Sequence, residues 1–163
     1  MEVRKAKQED WKEILAIYSR AREYMRQTGN PNQWKDTSPA PRQLTDDIQA
    51  GNLYVVVEEN CIHGVFALIP GPDPTYKKID GTWLNDEAYA AIHRVASAGK
   101  QKGILSILLQ YCAAQYTNLR IDTHHDNRIM QHLLEKHGFT RCGIIHLENG
   151  EPRSAYQFVK KDC

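Results

Sequence analysis

Four stretches of the chain repeat their hydrophobic residues at the three- and four-residue spacing of an amphipathic helix. The first covers residues 9–25, where acidic side chains at the start suit the positive end of the helix dipole. Its apolar positions are Trp11, Ile14, Leu15, Ile17 and Tyr18. The other predicted helices cover residues 42–50, 103–115 and 127–136, and Gly138 follows the last as a favourable C-terminal stop.

Short apolar runs between turn-forming residues predict the strands. Residues 53–58 and 61–69 form a hairpin about Glu59-Asn60, and further strands are expected at residues 3–6, 88–95, 119–123, 139–147 and 155–159. The strand at 88–95, the helix that follows it and the strand at 119–123 form a unit whose two strands should lie parallel. The order of elements predicts a mixed α/β (α+β) fold with a central sheet of about six to seven strands and about four helices.

The length and composition suit one soluble globular domain over residues 1–163, with 41% hydrophobic and 25% charged residues. The formal net charge is only +1, which argues against a nucleic-acid partner. The N-terminal residues are charged and no apolar stretch approaches membrane-spanning length, so we expect no membrane partner and a cytoplasmic location.

The cysteines form no CxxC pair, so neither a zinc knuckle nor a dithiol redox motif is visible. We expect Cys61, Cys112 and Cys142 to be small core residues and Cys163 to be a thiol at the chain end. No metal site is expected.

The segment at residues 93–104 combines a strand end, small and basic residues, and a helix start. Free N–H groups and the helix dipole at such a start attract anions. Gly99 and Gly103 would let the backbone approach a phosphate closely, and Lys100 and Lys102 add positive charge. The segment matches neither GxGxxG nor GxxxxGK[ST], and taken alone it suits a helix start with solvated lysines equally well.

Two motifs give this chain its resemblance to the GNAT acetyltransferase superfamily. The run Lys100-Gln101-Lys102-Gly103-Ile104-Leu105, followed by Ser106, is similar to the coenzyme A loop R/Q-x-x-G-x-G/A of that family. Downstream, the spacing of Asn127 from Gly138-Phe139 resembles the family's second motif. The order of elements resembles the family over nearly the whole chain.

The resemblance implies a fold in which the strand at 88–95 splays away from the strand at 119–123 and leaves an acyl-CoA cleft. The pantetheine arm of acetyl-CoA, the expected co-substrate, would lie in this cleft like an added strand. Its pyrophosphate would sit on residues 101–106, and the side chain at 127 would touch the pantetheine. The implied cofactor-binding residues are His93, Arg94, Val95, Lys100, Gln101, Lys102, Gly103, Ile104, Leu105, Ser106 and Asn127.

Three positions depart from the family pattern. Lys100 replaces the preferred arginine or glutamine, which is a mild change for a phosphate contact. Leu105 replaces the second small residue, so its side chain must turn into the core. Leu134 stands where many relatives have a tyrosine that protonates the leaving thiolate, so the usual general acid is missing.

Direct acetyl transfer needs a base for the amine proton and a donor for the carbonyl oxygen. A strand N–H near Val95 could be the donor. By family position Asp122 is the first candidate base and His124 the second, since both could face the cleft side of their strand. The alternative is that Asp122 is a strand-end or capping acid and that His124 belongs to a solvated loop. A metal bound by His124, His125 and Asp126 is disfavoured, because adjacent histidines rarely converge on one ion without further ligands.

We expect loops to form the acceptor pocket. Trp34, Tyr76 and Trp83 could line its floor or could instead be partly buried anchors of these loops. The acids Asp36, Asp80 and Asp86 would suit a cationic amine. The sequence thus predicts an acetyl-CoA-dependent N-acetyltransferase that acts on the amine of a small molecule or peptide. The alternative is a non-catalytic acyl-CoA-binding sensor or structural module on the same fold. A homodimer is expected by analogy alone.

Overall fold

One mixed sheet of eight strands organises the protein. The computed structural model describes residues 1–35 and 37–161, so the expectations for Asp36 and Cys163 lie outside the described residues. The strands are β1 (Glu2–Lys5), β2 (Leu53–Glu58), β3 (Cys61–Pro70), β4 (Asp80–Gly81), β5 (Ala90–Ser97), β6 (Asn118–Thr123), β7 (Thr140–His146) and β8 (Pro152–Val159). The helices are α1 (Trp11–Gln27), α2 (Pro41–Ala50), α3 (Ile104–Gln115) and α4 (Arg128–Lys136).

The strands lie in the order β1-β2-β3-β5-β6-β8-β7-β4. The central pair β5 and β6 is parallel, as predicted for two strands joined through a helix, and the other pairs are antiparallel. The β2–β3 hairpin turns at Glu59 and Asn60, whose φ angles of 51° and 63° are those that a tight two-residue hairpin turn requires. The predicted α/β class is therefore confirmed, with a slightly larger sheet than expected.

Alternation along the strands divides the core between the two faces of the sheet. Val56 and Phe66 point to the face that α3 and α4 cover, where Leu108 and Leu134 pack against them. Their neighbours point to the opposite face, which α1 and α2 cover over β2 and β3. On this opposite face, the segment at residues 74–89 covers the other half of the sheet. The sheet is thus the middle of three layers.

Most predicted boundaries differ from the observed ones by one to three residues; two differences bear on the site, and one short strand was not predicted. β5 extends to Ser97 rather than 95, because it stays paired with β3 to its end. Asn127 caps α4 from outside the helix instead of lying in its first turn. β4 was not predicted, because two residues carry no periodicity.

The expectation that three cysteines would lie in the core is partly wrong. Cys112 is buried, and burial raises the pKa of its thiol to about 12, which leaves it unreactive. Cys142 is half-buried and Cys61 is exposed at the start of β3. Among the described residues, no helix has the length and apolar character needed to cross a membrane.

Candidate active site

The site begins where the two parallel strands at the centre of the sheet separate. β5 and β6 pair only from Ala90 with Leu119 to Ile92 with Ile121. Beyond that point β5 stays with β3 but contains a bulge, since Ala67 pairs with His93 while Val65 pairs with Ala96. The extra residue bends β5 away from β6. Residues 93–97 therefore turn one edge toward a gap instead of toward a strand.

Side chains from α1 and α2 hold the bulge in place. Arg94 has a φ angle of 54°, in the left-handed region that a residue with a side chain rarely adopts. Its guanidinium donates to Asp47 over 2.8 Å, and the Tyr18 hydroxyl donates to its carbonyl oxygen over 2.6 Å. Burial raises the pKa of Tyr18, so the phenol remains a donor. These contacts over-determine the bulge and offset the cost of its backbone conformation.

A cavity of about 390 Å³ lies in the gap. Its lining comes from α1, the end of β5, the loop that follows, and the first turns of α3 and α4. The predicted residues Val95, Gln101, Gly103, Ile104, Leu105, Ser106 and Asn127 all line it. Lys100 and Lys102 are exposed and are not among the lining residues.

The α3 end of this cavity has the features of an anion site. Gly103 precedes α3 with a φ angle of 81°, and no described side chain caps the helix. The first helical bond runs from the N–H of Ile107 to the carbonyl of Gly103, which leaves the N–H groups of the first turn without helical acceptors. A phosphate is the type of ligand that such a helix start binds.

Sequence reasoning missed Arg20, a cation on α1 that lines the same cavity. Its guanidinium lies against Gly99, where any larger residue would clash with it, and donates to the Ser97 carbonyl over 3.3 Å. Tyr24, one turn later on the same helix face, also lines the cavity, and its ring centroid lies 5.6 Å from Arg20 Cζ. The i, i+4 spacing of these two residues was visible in the sequence, but nothing local showed which side of the sheet α1 would cover.

A second cavity of about 190 Å³ adjoins the first. The two cavities share Met25, Val95, Asn127 and Met130 in their linings, so they lie next to each other. Of the aromatic residues expected at the acceptor pocket, Trp34 lines the second cavity. Tyr76 and Trp83 line neither cavity and pack with Ala91 and Ala155 on the sheet face covered by residues 74–89.

Asp122 lies in a chain of polar contacts at the second cavity. Its Oδ1 accepts the Tyr76 hydroxyl at 2.6 Å and lies 4.0 Å from His93 Nδ1, while His93 Nε2 lies 2.7 Å from Asp73 Oδ2. Both His93 and Asp122 line the cavity. Sequence reasoning placed His93 among the cofactor-binding residues and missed Asp73.

Burial and hydrogen bonding set the pKa values of Asp73 and Tyr76 in this series of contacts. Burial opposes ionisation of Asp73, but hydrogen bonds from His93 and Thr75 outweigh it and lower the pKa of the carboxyl. Burial, reinforced by the charge of Asp122, raises the pKa of Tyr76 well above its ordinary value. At neutral pH, Asp73 is therefore an acceptor and Tyr76 a donor.

Asn127 is tied to a glutamine that sequence reasoning did not single out. The Asn127 side chain caps α4 by accepting the N–H of Met130, and its amide donates to Gln33 Oε1 over 3.0 Å. The same oxygen accepts Thr123 and Asn30, which fixes the loop at residues 30–34 against the site. The Arg153 guanidinium supports that loop further by donating to the Gln33 carbonyl.

The second candidate base, His124, lies away from the gap. It is buried, lines neither cavity, and its Nδ1 accepts the N–H of Asp126 at 3.0 Å. Burial lowers the pKa of His124, so the ring is neutral at neutral pH. His125 stacks on it, and the two rings with the Asp126 carboxylate form a compact group. The lone pair that His124 would offer a metal already accepts a hydrogen bond.

Leu134, which stands in place of the tyrosine implied by the resemblance, is fully buried in the core. It lines neither cavity, whereas its neighbour Leu133 lines the first. Ser106, in the first turn of α3, is held at 2.9 Å by His137 from the end of α4. Its hydroxyl is thereby oriented at the cavity wall.

The comparisons with known proteins agree with this geometry. The family model described as Acetyltransferase (GNAT) family matches residues 11–139. A GNAT-family acetyltransferase from Streptococcus agalactiae 2603 is 31% identical, with 99% of this chain and 96% of that chain covered and a TM-score of 0.90. No curated protein sequence matches the chain significantly.

Two more distant structures share the fold. One is a protein solved as an acetyltransferase homologue from Staphylococcus aureus Mu50, with 24% identity, 99% and 100% coverage and a TM-score of 0.74. The other is the GNAT-like decarboxylase GphF in complex with isobutyryl-CoA, with 14% identity, 98% and 99% coverage and a TM-score of 0.66. The split strands, the uncapped helix start and the family match lead to one conclusion: the chain belongs to the acetyltransferase (GNAT) family.

Proposed function

We propose that this protein is an acetyl-CoA-dependent N-acetyltransferase that acts on the amine of a small molecule or peptide. The observation that carries the proposal is the gap between β5 and β6, which opens directly onto the uncapped start of α3. An elongated ligand with amides at one end and phosphates at the other matches this arrangement. A protein of the same fold holds isobutyryl-CoA, which supports an acyl-CoA as the donor here.

The pyrophosphate belongs at the N–H groups that follow Gly103, with Arg20 as a charged partner. The pantetheine belongs along the free edge of β5, where its amides can bond to strand backbone. Val95 lines both cavities, so an N–H at the bulge is the donor suited to the thioester carbonyl oxygen.

The acceptor amine belongs in the second cavity, beside Asp122. Asp122 lines this cavity and His124 does not, which favours Asp122 as the residue that meets the amine. The departing thiolate needs no dedicated acid, since a thiol is a fair leaving group near neutral pH. This accommodates Leu134 at the position of the usual tyrosine. No described feature favours the non-catalytic module over the enzyme.

Calorimetric titration with acetyl-CoA, with ATP as a control ligand, tests the donor site through Gly103→Val. A side chain at this position meets no atom within 4 Å and would project into open space at the cavity wall, in a backbone conformation unfavourable for valine. We expect binding of acetyl-CoA but not ATP, and a loss of at least about 30-fold in affinity, or 2 kcal/mol, in the variant.

Gly150→Val is the matched control. Gly150 has a φ angle of 86° and equally open surroundings, but it lies in the β7–β8 turn away from the first cavity. It should carry similar backbone strain and keep its affinity for acetyl-CoA. Equal losses in both variants, or no binding by the unmodified protein, would contradict the proposed donor site.

Catalysis is tested by thiol release from acetyl-CoA with a panel of primary amines: free amino acids, polyamines, arylalkylamines and short peptides. Release that depends on the amine supports the enzyme. Tight binding of acetyl-CoA with no release for any amine would support the non-catalytic module instead.

A further inference from the structure

We propose that His93 is the catalytic base that takes the proton from the acceptor amine, with Asp73 as its positioning residue and Asp122 as the carboxylate that binds the amine. The inference rests on the proposed function, since it assigns roles within acetyl transfer to an amine. It departs from the expectation that Asp122 itself is the base.

The hydrogen bond to Asp73 fixes which nitrogen of His93 can accept a proton. A carboxylate can only accept, so Nε2, at 2.7 Å from Asp73 Oδ2, must carry the hydrogen. In the neutral ring the lone pair then lies on Nδ1. This nitrogen is on the Asp122 side of the ring, and both residues line the second cavity. The arrangement is that of an imidazole held in one tautomer by a half-buried carboxylate.

The spacing between His93 and Asp122 suits a bound amine. Nδ1 and Asp122 Oδ1 are 4.0 Å apart, too far for a direct hydrogen bond. An amine nitrogen about 2.9 Å from each would complete a triangle with acceptable hydrogen-bond lengths on both sides. One N–H of the amine would point to Asp122 and another to the free lone pair of His93.

Tyr76 explains why Asp122 binds and His93 accepts the proton. The Tyr76 hydroxyl donates to the same Oδ1 over 2.6 Å, so one lone pair of the Asp122 carboxylate is already occupied. His93 Nδ1 has no such donor among the described hydrogen bonds. The buried Tyr76 thus acts through Asp122, and the half-buried Asp73 acts through His93.

The transfer step balances as follows. The acceptor amine binds as R–NH3⁺ and loses one proton to His93 Nδ1. The lone pair freed on its nitrogen then forms a bond to the thioester carbon. The C–S bond breaks and coenzyme A leaves as a thiolate, which takes a proton from solvent. The nitrogen gives up its second proton to water as the amide forms. The products are the acetamide, coenzyme A thiol and one proton.

The tautomer is directly measurable in the free protein. We expect long-range ¹H–¹⁵N spectra of the neutral imidazole to give the Nε2–H tautomer for His93. His93→Gln identifies the signal by its loss. In Asp73→Asn the amide can donate to Nε2, so the ring should shift to the Nδ1–H tautomer. An Nδ1–H tautomer in the unmodified protein would overturn the assignment, whether or not an amine substrate has been found.

Steady-state kinetics with the amine of highest turnover in the panel test the roles. We expect His93→Gln to lower kcat at least about 100-fold, because the catalytic base is lost. The affinity for acetyl-CoA, measured by calorimetry, should stay unchanged, which also verifies that the variant is folded. Asp73→Asn should also lower kcat, because His93 in the Nδ1–H tautomer has no free lone pair facing the amine. Asp122→Asn should mainly raise the KM of the amine. His146→Gln, which alters an exposed histidine beside Asp80, is the matched control and should keep its activity.

Two outcomes separate the failure of this inference from that of the proposed function. An active protein in which His93→Gln stays within about threefold of normal while Asp122→Asn is inactive would return the base to Asp122. An unmodified protein that turns over no amine would overturn the transferase proposal, and the catalytic roles with it.

Discussion

Arg20 shows how much a single exposed residue can contribute to the donor site. It is the cation of α1 that lines the cavity, whereas Lys100 and Lys102, which the loop pattern favoured, are exposed and do not line it. The difference arises because a short loop sets the direction of its own side chains, but a helix on the neighbouring layer can place a long side chain across the gap. The charge that we propose for the phosphates therefore comes from a distant part of the sequence.

Replacing Arg20 with glutamine should weaken acetyl-CoA binding about 5- to 10-fold, because a charge-assisted contact to phosphate is lost. Calorimetry at low and high salt measures this, and the effect should shrink as salt rises. Lys12→Gln is the control, since it removes one positive charge from an exposed position of the same helix outside both cavities. Similar losses in both variants would assign the effect to net charge.

At the scale of elements, α1 serves the core with one face and the site with another. Ile14, Ile17, Tyr18 and Ala21 are buried against the sheet, while residues in its last turns line the first cavity. Its start is anchored to β1, because Asp10 accepts two hydrogen bonds from the Arg4 guanidinium and one from the N–H of Lys7. The hydrogen bond from Arg4 is the main cause of the lowered pKa of Asp10.

Because the folded protein holds the Asp10 pKa below its ordinary 3.8, the carboxylate stabilises the fold above that pH. This contribution is lost as the pH falls through the lower, folded-state pKa. Asp10→Asn should therefore cost about 1–2 kcal/mol at pH 7, with a difference that shrinks below pH 4. Urea unfolding along a pH series measures it, with Asp46→Asn, an exposed acid of α2, as control. A pH-independent difference would show that the carboxylate charge is not involved.

At the scale of the molecule, the donor cavity is bounded by elements from both outer layers. α1 lies on one side of the sheet and α3 and α4 on the other, and they meet at the gap where β5 leaves β6. A ligand in the gap contacts residues that are distant in sequence. Binding of such a ligand should therefore raise the free energy of unfolding of the whole protein and not of one segment alone.

Acetyl-CoA at 100 times its Kd should add about 2.7 kcal/mol of stability. For a chain of this length that corresponds to a rise in Tm of roughly 5–10 °C. Thermal unfolding followed by circular dichroism measures it, with ATP at the same concentration as control. The rise should be absent in Gly103→Val and present in Gly150→Val, and an equal rise with ATP would show that the cavity does not recognise the pantetheine.

The sequence by itself determined features whose causes are local. Turn chemistry and periodicity act over a few residues, so they can be read directly from the sequence. Examples are the helical spacing in α1 and α3, the Glu59-Asn60 hairpin turn and the glycine before α3. The loop motif and the spacing to Gly138-Phe139 were sufficient to indicate the family.

Only the tertiary structure decided which distant residues meet. The bulge at Arg94 depends on Asp47 and Tyr18, and the pairing of His93 with Asp73 and its approach to Asp122 join a loop with two strands. Such contacts span from 20 to more than 70 positions of chain, and no local pattern encodes them. Local propensities fix the elements, but the packing of two outer layers against one split sheet decides which side chains meet at the site.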